Sequence, residues 1–346
     1  MQSDMIIRLM GRRPGGEIEK IRGTLRVMVS DELRRAGQRF VSARYISQRF
    51  KVSYQTAHRL LTELELDGLI IRRAGSGSFI AGQKRTLRCA LLIFASRAKR
   101  PGSFGDLLLR ELVAKLEAMA VPFEVTFRST TLKQVGEDVY PVIWELPRLI
   151  HELSANYRFS LVVHDKPPAG IGSLFTDSIS VDDFGGGITA GQVVSRYSPK
   201  RPVVIGGPAS DARSRSRIAG FRLVFPAAQV IEAGTWFFRA AVRAIAAPLN
   251  SLRPDALFCC SDRLAEAAMI FYQNSKLPLP LVIGFDNAPV AENLGLSTIG
   301  IPWREIAHAA GAVIKKRLDG RTDHASAIVL PPVPMLRGPK QPADLR

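Results

Sequence analysis

The 346-residue sequence is poor in the residue types on which disulfide frameworks and metal sites depend. It contains 3 cysteines and 5 histidines. Such a cysteine content cannot build a disulfide framework, and Cys259 and Cys260 are adjacent within an apolar run, so we expect reduced core thiols in a cytoplasmic protein. The histidines are scattered without metal-ligand spacing. The sequence therefore predicts no metal site and no cofactor.

Long apolar runs and catalytic motifs are also missing. No stretch reaches the roughly 18 to 20 uncharged apolar residues of a membrane span, and the N-terminus lacks the apolar core of a signal peptide. A P-loop and a G-x-S-x-G nucleophile elbow do not occur. Asp182 and Asp183 lack a convergent partner for acid–base work, and the glycines at 185–187 depart from the dinucleotide-binding spacing. We therefore expect neither a membrane protein nor an enzyme.

Positive charge, by contrast, is abundant and unevenly distributed. The net charge is +17, and residues 1–88 carry 18 Lys/Arg against 8 Asp/Glu, whereas residues 89–346 carry a net +7. Basic charge concentrated in a small domain is typical of proteins that contact DNA phosphates. The alternative, a merely soluble basic surface, suits the remainder of the chain better than this segment.

Residues 17–82 have the pattern of a small α+β domain of the winged helix-turn-helix type. Ser42 and Ser53 are predicted helix N-caps, and Gly68 is a predicted helix stop. The predicted elements are helices over 17–35, 43–50 and 54–67, strands over 69–73 and 78–81, and a tight turn at 74–77. Residues 1–16 are predicted to be a flexible lead-in, and residues 83–88 a basic linker.

The third helix and the turn carry side chains suited to DNA. The apolar residues of the third helix fall on one face, so the polar residues near the N-terminus of this helix face outward, where a recognition helix meets base edges. Gln pairs well with adenine and Arg with guanine. Each arginine alone is equally well a solvated surface residue, and His58 an ordinary exposed one. The candidate DNA-binding residues are Arg44, Ser53, Tyr54, Gln55, Thr56, His58, Arg59, Arg73, Gly75, Ser76 and Gly77.

Residues 89–346 alternate apolar runs with amphipathic stretches, which predicts parallel sheets covered by helices on both faces. Ligands of such sheets bind beyond the carboxyl ends of the strands. Polar or aromatic residues at those ends are Phe104, His164, Asp165, Ser261, Asp262, Asp286 and Asn287. Each has a structural alternative; Asp262, for example, is an expected helix cap.

Residues 17–81 resemble the DNA-binding domain of the GntR family. Its Leu-Pro-Ser-Glu-Arg, Ser-Arg-x-Thr-Val-Arg and Gly-x-Gly motifs correspond to the segments at 40–44, 53–58 and 75–77. Arg44, Thr56 and the wing glycines match the family pattern. Tyr54 and His58 replace two arginines that usually touch DNA, which implies a different operator sequence.

Residues 89–340 resemble the sensing domain of LacI/GalR regulators, with matching stretches at 214–221, 253–265, 282–287 and 296–299. The resemblance implies an α/β two-lobed, type I periplasmic-binding-protein-like domain with parallel sheets. It implies crossovers near residues 182, 301 and 327. The first lobe would comprise about 89–181 and 302–325, and the second about 182–301 and 326–340.

The same resemblance implies a ligand in the interlobe cleft, expected to be a sugar. Arg217 and Asp286 would grip its hydroxyls or a carboxylate, and Ser261 would hydrogen-bond it. Trp236 or Phe104 would stack on it. The predicted ligand-binding residues are Phe104, His164, Asp165, Arg217, Trp236, Ser261 and Asp286.

A GntR-type reader joined to a LacI-type sensor is the arrangement of AraR-like arabinose repressors, although arabinose is not thereby implied as the ligand. The sequence thus predicts a homodimeric bacterial repressor that binds a pseudo-palindromic double-stranded DNA operator under control of a small-molecule effector. The alternatives are a sugar-binding receptor or enzyme-like protein whose N-terminal domain serves protein contacts, and a regulator that has lost sensing.

Overall fold

A computed structural model of the chain describes residues 15–30, 37–81, 87–127, 131–156, 158–167, 171–321 and 325–337. The predicted lead-in up to residue 14 and the predicted linker at 83–86 lie outside the described residues. The helices are α1 (Gly15–Ser30), α2 (Ala43–Phe50), α3 (Tyr54–Leu66), α4 (Phe104–Ala118), α5 (Pro147–Ala155), α6 (Asp183–Ser195), α7 (Ala212–Val224), α8 (Phe238–Leu252), α9 (Asp262–Ser275), α10 (Pro289–Asn293) and α11 (Trp303–Leu318). The strands are β1 (Ile70–Arg73), β2 (Gly77–Ile80), β3 (Cys89–Phe94), β4 (Phe123–Thr126), β5 (Val139–Trp144), β6 (Ser160–Val163), β7 (Thr176–Val181), β8 (Pro202–Gly206), β9 (Gln229–Glu232), β10 (Ala256–Cys259), β11 (Leu281–Asp286), β12 (Ser297–Gly300), β13 (Ala327–Leu330) and β14 (Val333–Met335).

The N-terminal part packs three helices against an antiparallel hairpin. The Oγ of Ser42 accepts a hydrogen bond from the backbone of Tyr45, and the Oγ of Ser53 accepts one from Thr56, so α2 and α3 begin at the two predicted caps. One buried apolar cluster joins the inner faces of these elements and consists of Ile21, Leu25, Val29, Phe40, Ala43, Ile46, Ala57, Leu60, Leu61, Leu64, Ile70 and Ile80.

The larger part contains two six-stranded sheets. The first has the strand order β4-β3-β5-β6-β7-β13 and is parallel throughout. The second has the order β9-β8-β10-β11-β12-β14, in which β14 alone runs antiparallel to its neighbour. Most of the central strands are buried along their whole length, as expected for sheets covered on both faces. The carboxyl ends of the parallel strands therefore gather at one edge of each lobe.

The third crossover differs from the one predicted near residue 327. Strand β13 pairs in parallel with β7, so residues 327–330 belong to the first sheet, and the chain crosses to the second sheet only at 331–332. The assignment of these residues to the second lobe was therefore wrong. The burial of β13 alternates between exposed and half-buried positions, and such an edge strand lacks the continuous apolar run by which buried strands are recognised.

Two glycines bring α6 and α7 into close contact in the second lobe. A Cβ atom at Gly187 would lie 2.2 Å from the carbonyl oxygen of Arg217, and one at Gly220 would lie 2.0 Å from that of Phe184. This approach places the first turn of α6, with Asp183, directly beside Arg217. Among the described residues, no helix is both long and apolar enough to cross a membrane.

Candidate functional site

The outward face of α3 forms a polar surface at the N-terminal end of that helix. Tyr54 is 60% exposed, and Gln55, His58 and Arg59 are also exposed. With Thr62 they line an open depression of about 390 Å³. The rings of Tyr54 and His58 lie 6.4 Å apart. This face offers one cation, one amide, one imidazole and one phenol to a partner without first breaking a buried contact.

Two acidic residues at the C-terminal end of α3, Glu63 and Asp67, form ion pairs with arginines of α1. Arg22 Nε lies 2.8 Å from Glu63 Oε2, and Arg26 Nη2 lies 2.6 Å from Asp67 Oδ2. These carboxylates lie in the C-terminal half of α3 or just beyond it. The N-terminal half therefore keeps its positive character, which the helix dipole reinforces.

The hairpin tip lies beside this helix. Arg73 is exposed at the end of β1, whereas Arg72 is turned toward α3, where its Nη1 donates to Thr62 Oγ1 at 3.0 Å. Gly75 and Gly77 have φ angles of +73° and +106°, which strongly favour glycine. Arg44 is exposed in the first turn of α2. The predicted DNA-binding residues are thus brought together on α2, α3 and the hairpin, with Ser53 and Thr56 serving partly as the cap of α3.

The interlobe cleft lies where the carboxyl ends of the two sheets face each other. All three tryptophans of the sequence lie there: Trp144 ends β5, Trp236 follows β9, and Trp303 begins α11 at the second crossover. The lobes approach across the cleft, since Arg213 Nη1 of the second lobe lies 3.9 Å from Glu145 Oε1 of the first. The cleft is thus bounded by aromatic and charged side chains from both lobes.

Arg217 is the centre of a buried ion-pair network at the base of the cleft. Its Nε donates to Asp183 at 2.7 Å, and its Nη1 donates to Asp286 at 3.0 Å and to the carbonyl oxygen of Cys260 at 2.7 Å. Burial lowers the pKa of Arg217, but the two carboxylates outweigh it and raise that pKa above the ordinary value. Burial raises the pKa of Asp286, and Arg217 opposes this increase. The predicted pair is therefore assembled, and the Nε and Nη1 donors of Arg217 are already paired within the protein.

His164 is buried at the end of β6, with 5% of its surface exposed. Its ring lies 5.3 Å from that of Trp303, and both of its ring nitrogens are buried without a hydrogen-bond partner among the residues that the structure describes. Burial, together with the charges of Arg213 and Arg217, lowers the pKa of His164 to about 3. The imidazole is therefore neutral at physiological pH, and one nitrogen can donate while the other accepts.

The remaining predicted ligand-binding residues fall into two groups. Phe104 lies in the cleft, with its ring 5.7 Å from that of Trp303, and Trp236 is half-buried and donates to Asp211 at 3.0 Å. Ser261 has its hydroxyl engaged as the N-cap of α9, and Asp165 is exposed beside the cleft. The geometry thus favours Phe104 and Trp236 over Ser261 and Asp165 as candidates for ligand contact.

Several side chains of the cleft were not found from the sequence. Trp144 and Trp303 each carry a buried indole N–H that finds no hydrogen-bond partner in the described part of the chain, and Glu145 pairs with Arg97. Burial raises the pKa of Asp211, but the hydrogen bonds and positive charge of Arg213 and a hydrogen bond from Trp236 together outweigh it and lower that pKa to about 2. Trp144 is the last residue of β5 and Glu145 follows it. The internal proline of β5 is atypical of a central strand, and β5 was not predicted.

Strained backbone conformations mark the same region. Of the nine non-glycine residues with positive φ in the described part of the chain, four lie at carboxyl ends of central strands: Glu145 (57°), His164 (60°), Asp286 (110°) and Asn287 (54°). The other five follow helices. Non-glycine residues adopt such angles at a cost of roughly 1–3 kcal/mol each and cluster at functional sites. This observation, independent of the side-chain contacts, also points to the cleft.

Comparison with known proteins agrees with this architecture. A family model described as a periplasmic binding protein-like domain matches residues 200–338. The chain is 28% identical over 167 residues to the sucrose operon repressor of Streptococcus mutans, which covers 46% of this chain and 52% of that protein. It is 27% identical over 176 residues to the ribose operon repressor of Haemophilus influenzae, covering 47% and 53%. The chain thus spans about half the length of the curated relatives it matches.

Solved structures with the same fold cover more of the chain. A LacI family transcriptional regulator from Enterococcus faecalis with bound ribose has a TM-score of 0.60 at 17% identity, covering 73% of this chain and 99% of that one. A LacI family regulator from Arthrobacter in complex with lactose has a TM-score of 0.61 at 18% identity, covering 72% and 98%. The larger part of the chain is therefore a two-lobed α/β domain of periplasmic-binding-protein type, similar to the sensing domains of LacI-type regulators.

Proposed function

We propose that this protein is a bacterial, sequence-specific DNA-binding transcription regulator, acting as a repressor in the cytoplasm. Its operator affinity is modulated by a small molecule bound between the two lobes. The observation that carries the proposal is the pairing of an exposed, polar and basic helix face with a two-lobed domain whose relatives are operon repressors. The relatives matched here are named as repressors and not as enzymes.

The N-terminal domain is proposed to be a winged helix-turn-helix of the GntR type. In this proposal α3 enters the major groove, where Gln55 and Arg59 meet base edges, and Arg44 and Arg73 contact phosphates. Support comes from the exposure of these side chains and from the occupation of Glu63 and Asp67 by arginines of α1. Those ion pairs compensate the negative charges of Glu63 and Asp67, which would otherwise repel the DNA backbone.

The effector is proposed to be a sugar. Ribose and lactose are bound in two structures that share the fold, and two matched relatives are named for sucrose and ribose. The cleft supplies aromatic faces together with both donors and acceptors, and sugar hydroxyls need both. His164 and the indole N–H groups of Trp144 and Trp303 are the groups whose hydrogen bonds are unfilled.

The mechanism follows from thermodynamic linkage. The protein is proposed to be a homodimer that places two copies of α3 on a pseudo-palindromic operator. A sugar that favours one arrangement of the lobes changes operator affinity only through its differential affinity for the two arrangements. A coupling free energy of about 1–3 kcal/mol changes operator affinity about 5- to 150-fold.

The test is fluorescence anisotropy with the chain's own upstream DNA at two salt concentrations, with and without ribose, sucrose or lactose. We expect tight, strongly salt-dependent binding that one of these sugars alters. Tryptophan emission reports sugar binding in parallel, because every tryptophan of the sequence lies at the cleft.

A matched pair of variants separates specific contact from total charge. Arg44→Ala should weaken operator binding, whereas Arg148→Ala removes the same charge from α5, where the side chain is 93% exposed, and should not. Binding equal to that of unrelated DNA in both wild type and Arg44→Ala would contradict the DNA-reading function.

A further inference from the structure

The hairpin β1–β2 has two apolar faces, because side chains alternate along each strand. Ile70 lies opposite Ile80, and both pack into the helical core of the N-terminal domain. Ile71 lies opposite Phe79, and both face the other way. A second apolar cluster, here called the docking cluster, combines this outer face with the first lobe and consists of Ile71, Phe79, Ala81, Leu174 and Phe175. The hairpin is therefore shared by the two domains.

The docking cluster is well buried at the amino-terminal edge of the first sheet. Ile71 is 1% exposed, Phe79 is 3% exposed and Phe175 is fully buried. Phe175 immediately precedes β7, so this contact lies at the opposite end of the strands from the cleft. Phe159 extends the cluster inward, with its ring 5.2 Å from that of Phe175.

Beneath Phe159 lies a buried polar network centred on α11. Arg317 forms a two-pronged ion pair with Asp177 at 2.8 and 2.9 Å, and the same carboxylate accepts a hydrogen bond from the Tyr140 hydroxyl at 2.6 Å. The guanidinium carbon of Arg317 lies 4.4 Å from the ring centroid of Phe159. The position of Phe159 is therefore tied to the C-terminal end of α11.

The other end of α11 is in the cleft. Its first residue, Trp303, contacts the rings of His164 and Phe104. At 1.5 Å per residue, the helix spans about 20 Å between Trp303 and Arg317. A packed helix of this length moves as a unit, so a displacement at the cleft shifts the contacts at its far end.

We propose that the docking cluster is the surface through which the state of the cleft is transmitted to the N-terminal domain, with α11 as the connecting element. Arg72 extends the path, because its backbone N–H donates to Glu65 at 3.1 Å and its guanidinium donates to Thr62, which joins the hairpin to α3. Docking thus fixes the orientation of α3 relative to the first lobe. Only the consequence for DNA rests on the proposed function; the docking itself does not.

Hydrogen–deuterium exchange of the full chain tests the proposal without a ligand. Leu174→Asp places a charge in the docking cluster and should speed exchange at least about threefold in peptides covering 70–81 and 173–177, by favouring the undocked form. The matched control is Leu223→Asp, which alters a leucine of α7 that is 64% exposed and should leave both segments unchanged. Unchanged exchange in Leu174→Asp would show that the two domains do not dock in solution.

Transmission along α11 is tested with two tryptophans of the same cleft. Trp303→Ala, at the start of α11, should speed exchange in the same two segments, whereas Trp236→Ala, in the second lobe, should not. Arg317→Lys keeps the charge but loses the two-pronged geometry, and tests the path from its other end if Trp303→Ala does not fold. Equal effects of Trp303→Ala and Trp236→Ala, or no effect of Trp303→Ala and Arg317→Lys, would overturn the proposal.

Anisotropy with the upstream DNA distinguishes failure of the transmission proposal from failure of the proposed regulatory function. If the wild type does not bind DNA specifically, the regulatory function is wrong, and the exchange data still decide whether the cleft and the hairpin are coupled. If the wild type binds and Leu174→Asp leaves the sugar-dependent change in affinity intact, the docking cluster does not transmit it.

Discussion

Arg217 and Asp286 form an ion pair at the base of the cleft, with 3.0 Å between Nη1 and Oδ1, although each side chain is almost completely buried. The same guanidinium pairs with Asp183 at 2.7 Å and lies 3.7 Å above the ring of Phe285. One cation therefore compensates two carboxylates. A ligand that contacts Nε or Nη1 of Arg217 has to share or displace these partners, and the network is a structural element of the second lobe.

Loss of this cation should be costly. Arg217→Met leaves two buried carboxylates without a counter-charge, and we expect the free energy of unfolding to fall by about 3–5 kcal/mol. Urea unfolding at pH 7 measures this change. Arg215→Met, on the exposed side of the same helix, is the control and should change stability by less than about 1 kcal/mol. Because protonation neutralises carboxylates, the deficit of Arg217→Met should shrink as the pH is lowered; a pH-independent deficit would contradict this explanation.

His164 should make the fold sensitive to acid. Its pKa is about 3 in the folded protein, below the ordinary value of 6.5. Between these two values the unfolded chain binds a proton that the folded chain excludes, so stability is lost as the pH falls through this window, by up to about 1.4 kcal/mol per pH unit. His164→Gln should reduce the slope of unfolding free energy against pH between 6 and 4 by about that amount. His58→Gln, at an exposed histidine of α3, serves as the control and should keep the wild-type slope.

The contact between α6 and α7 should tolerate no side chain at its glycines. Gly187→Ala would push a methyl group against the carbonyl of Arg217, and we expect a loss of at least about 1–3 kcal/mol in unfolding free energy. Gly23→Ala on the exposed face of α1 has open space around its Cβ position and should instead gain up to about 1 kcal/mol from helix propensity. Thermal unfolding midpoints of the two variants, measured in parallel, test this prediction. Similar midpoints would mean that α6 and α7 are not in close contact.

The proposed roles of Gln55 and Arg44 predict different binding signatures. Gln55→Ala should cost about 1–3 kcal/mol on the preferred operator and relax preference at one base pair. Arg44→Ala should weaken binding to all sequences alike and lower the slope of log affinity against log salt by about 1. Anisotropy with a set of single-base operator variants at several salt concentrations measures both. Identical signatures for the two variants would remove the distinction between base contact and phosphate contact.

Local features of this chain were predicted well because they depend on near neighbours in the sequence. The caps at Ser42 and Ser53 act over three residues, and the helices that follow begin where these side chains predict. Most of the continuous apolar runs of the large domain are strands of the two sheets. In contrast, β5 is apolar and buried throughout but contains an internal proline, and it was missed. The alternating edge strand β13 lacks a continuous apolar run and was misplaced.

The sequence by itself therefore determined the predicted helix starts, most of the buried strands and the outward face of α3, since periodicity and capping are local properties of the chain. Only the tertiary structure decided that Arg217 is already paired, that Trp144 and Trp303 lie in the cleft, and that the hairpin has a second buried face. These features join residues that are distant in the chain, such as Arg317 and Asp177 or Phe79 and Phe175. Their proximity depends on how the sheets and helices pack, and no local pattern encodes it.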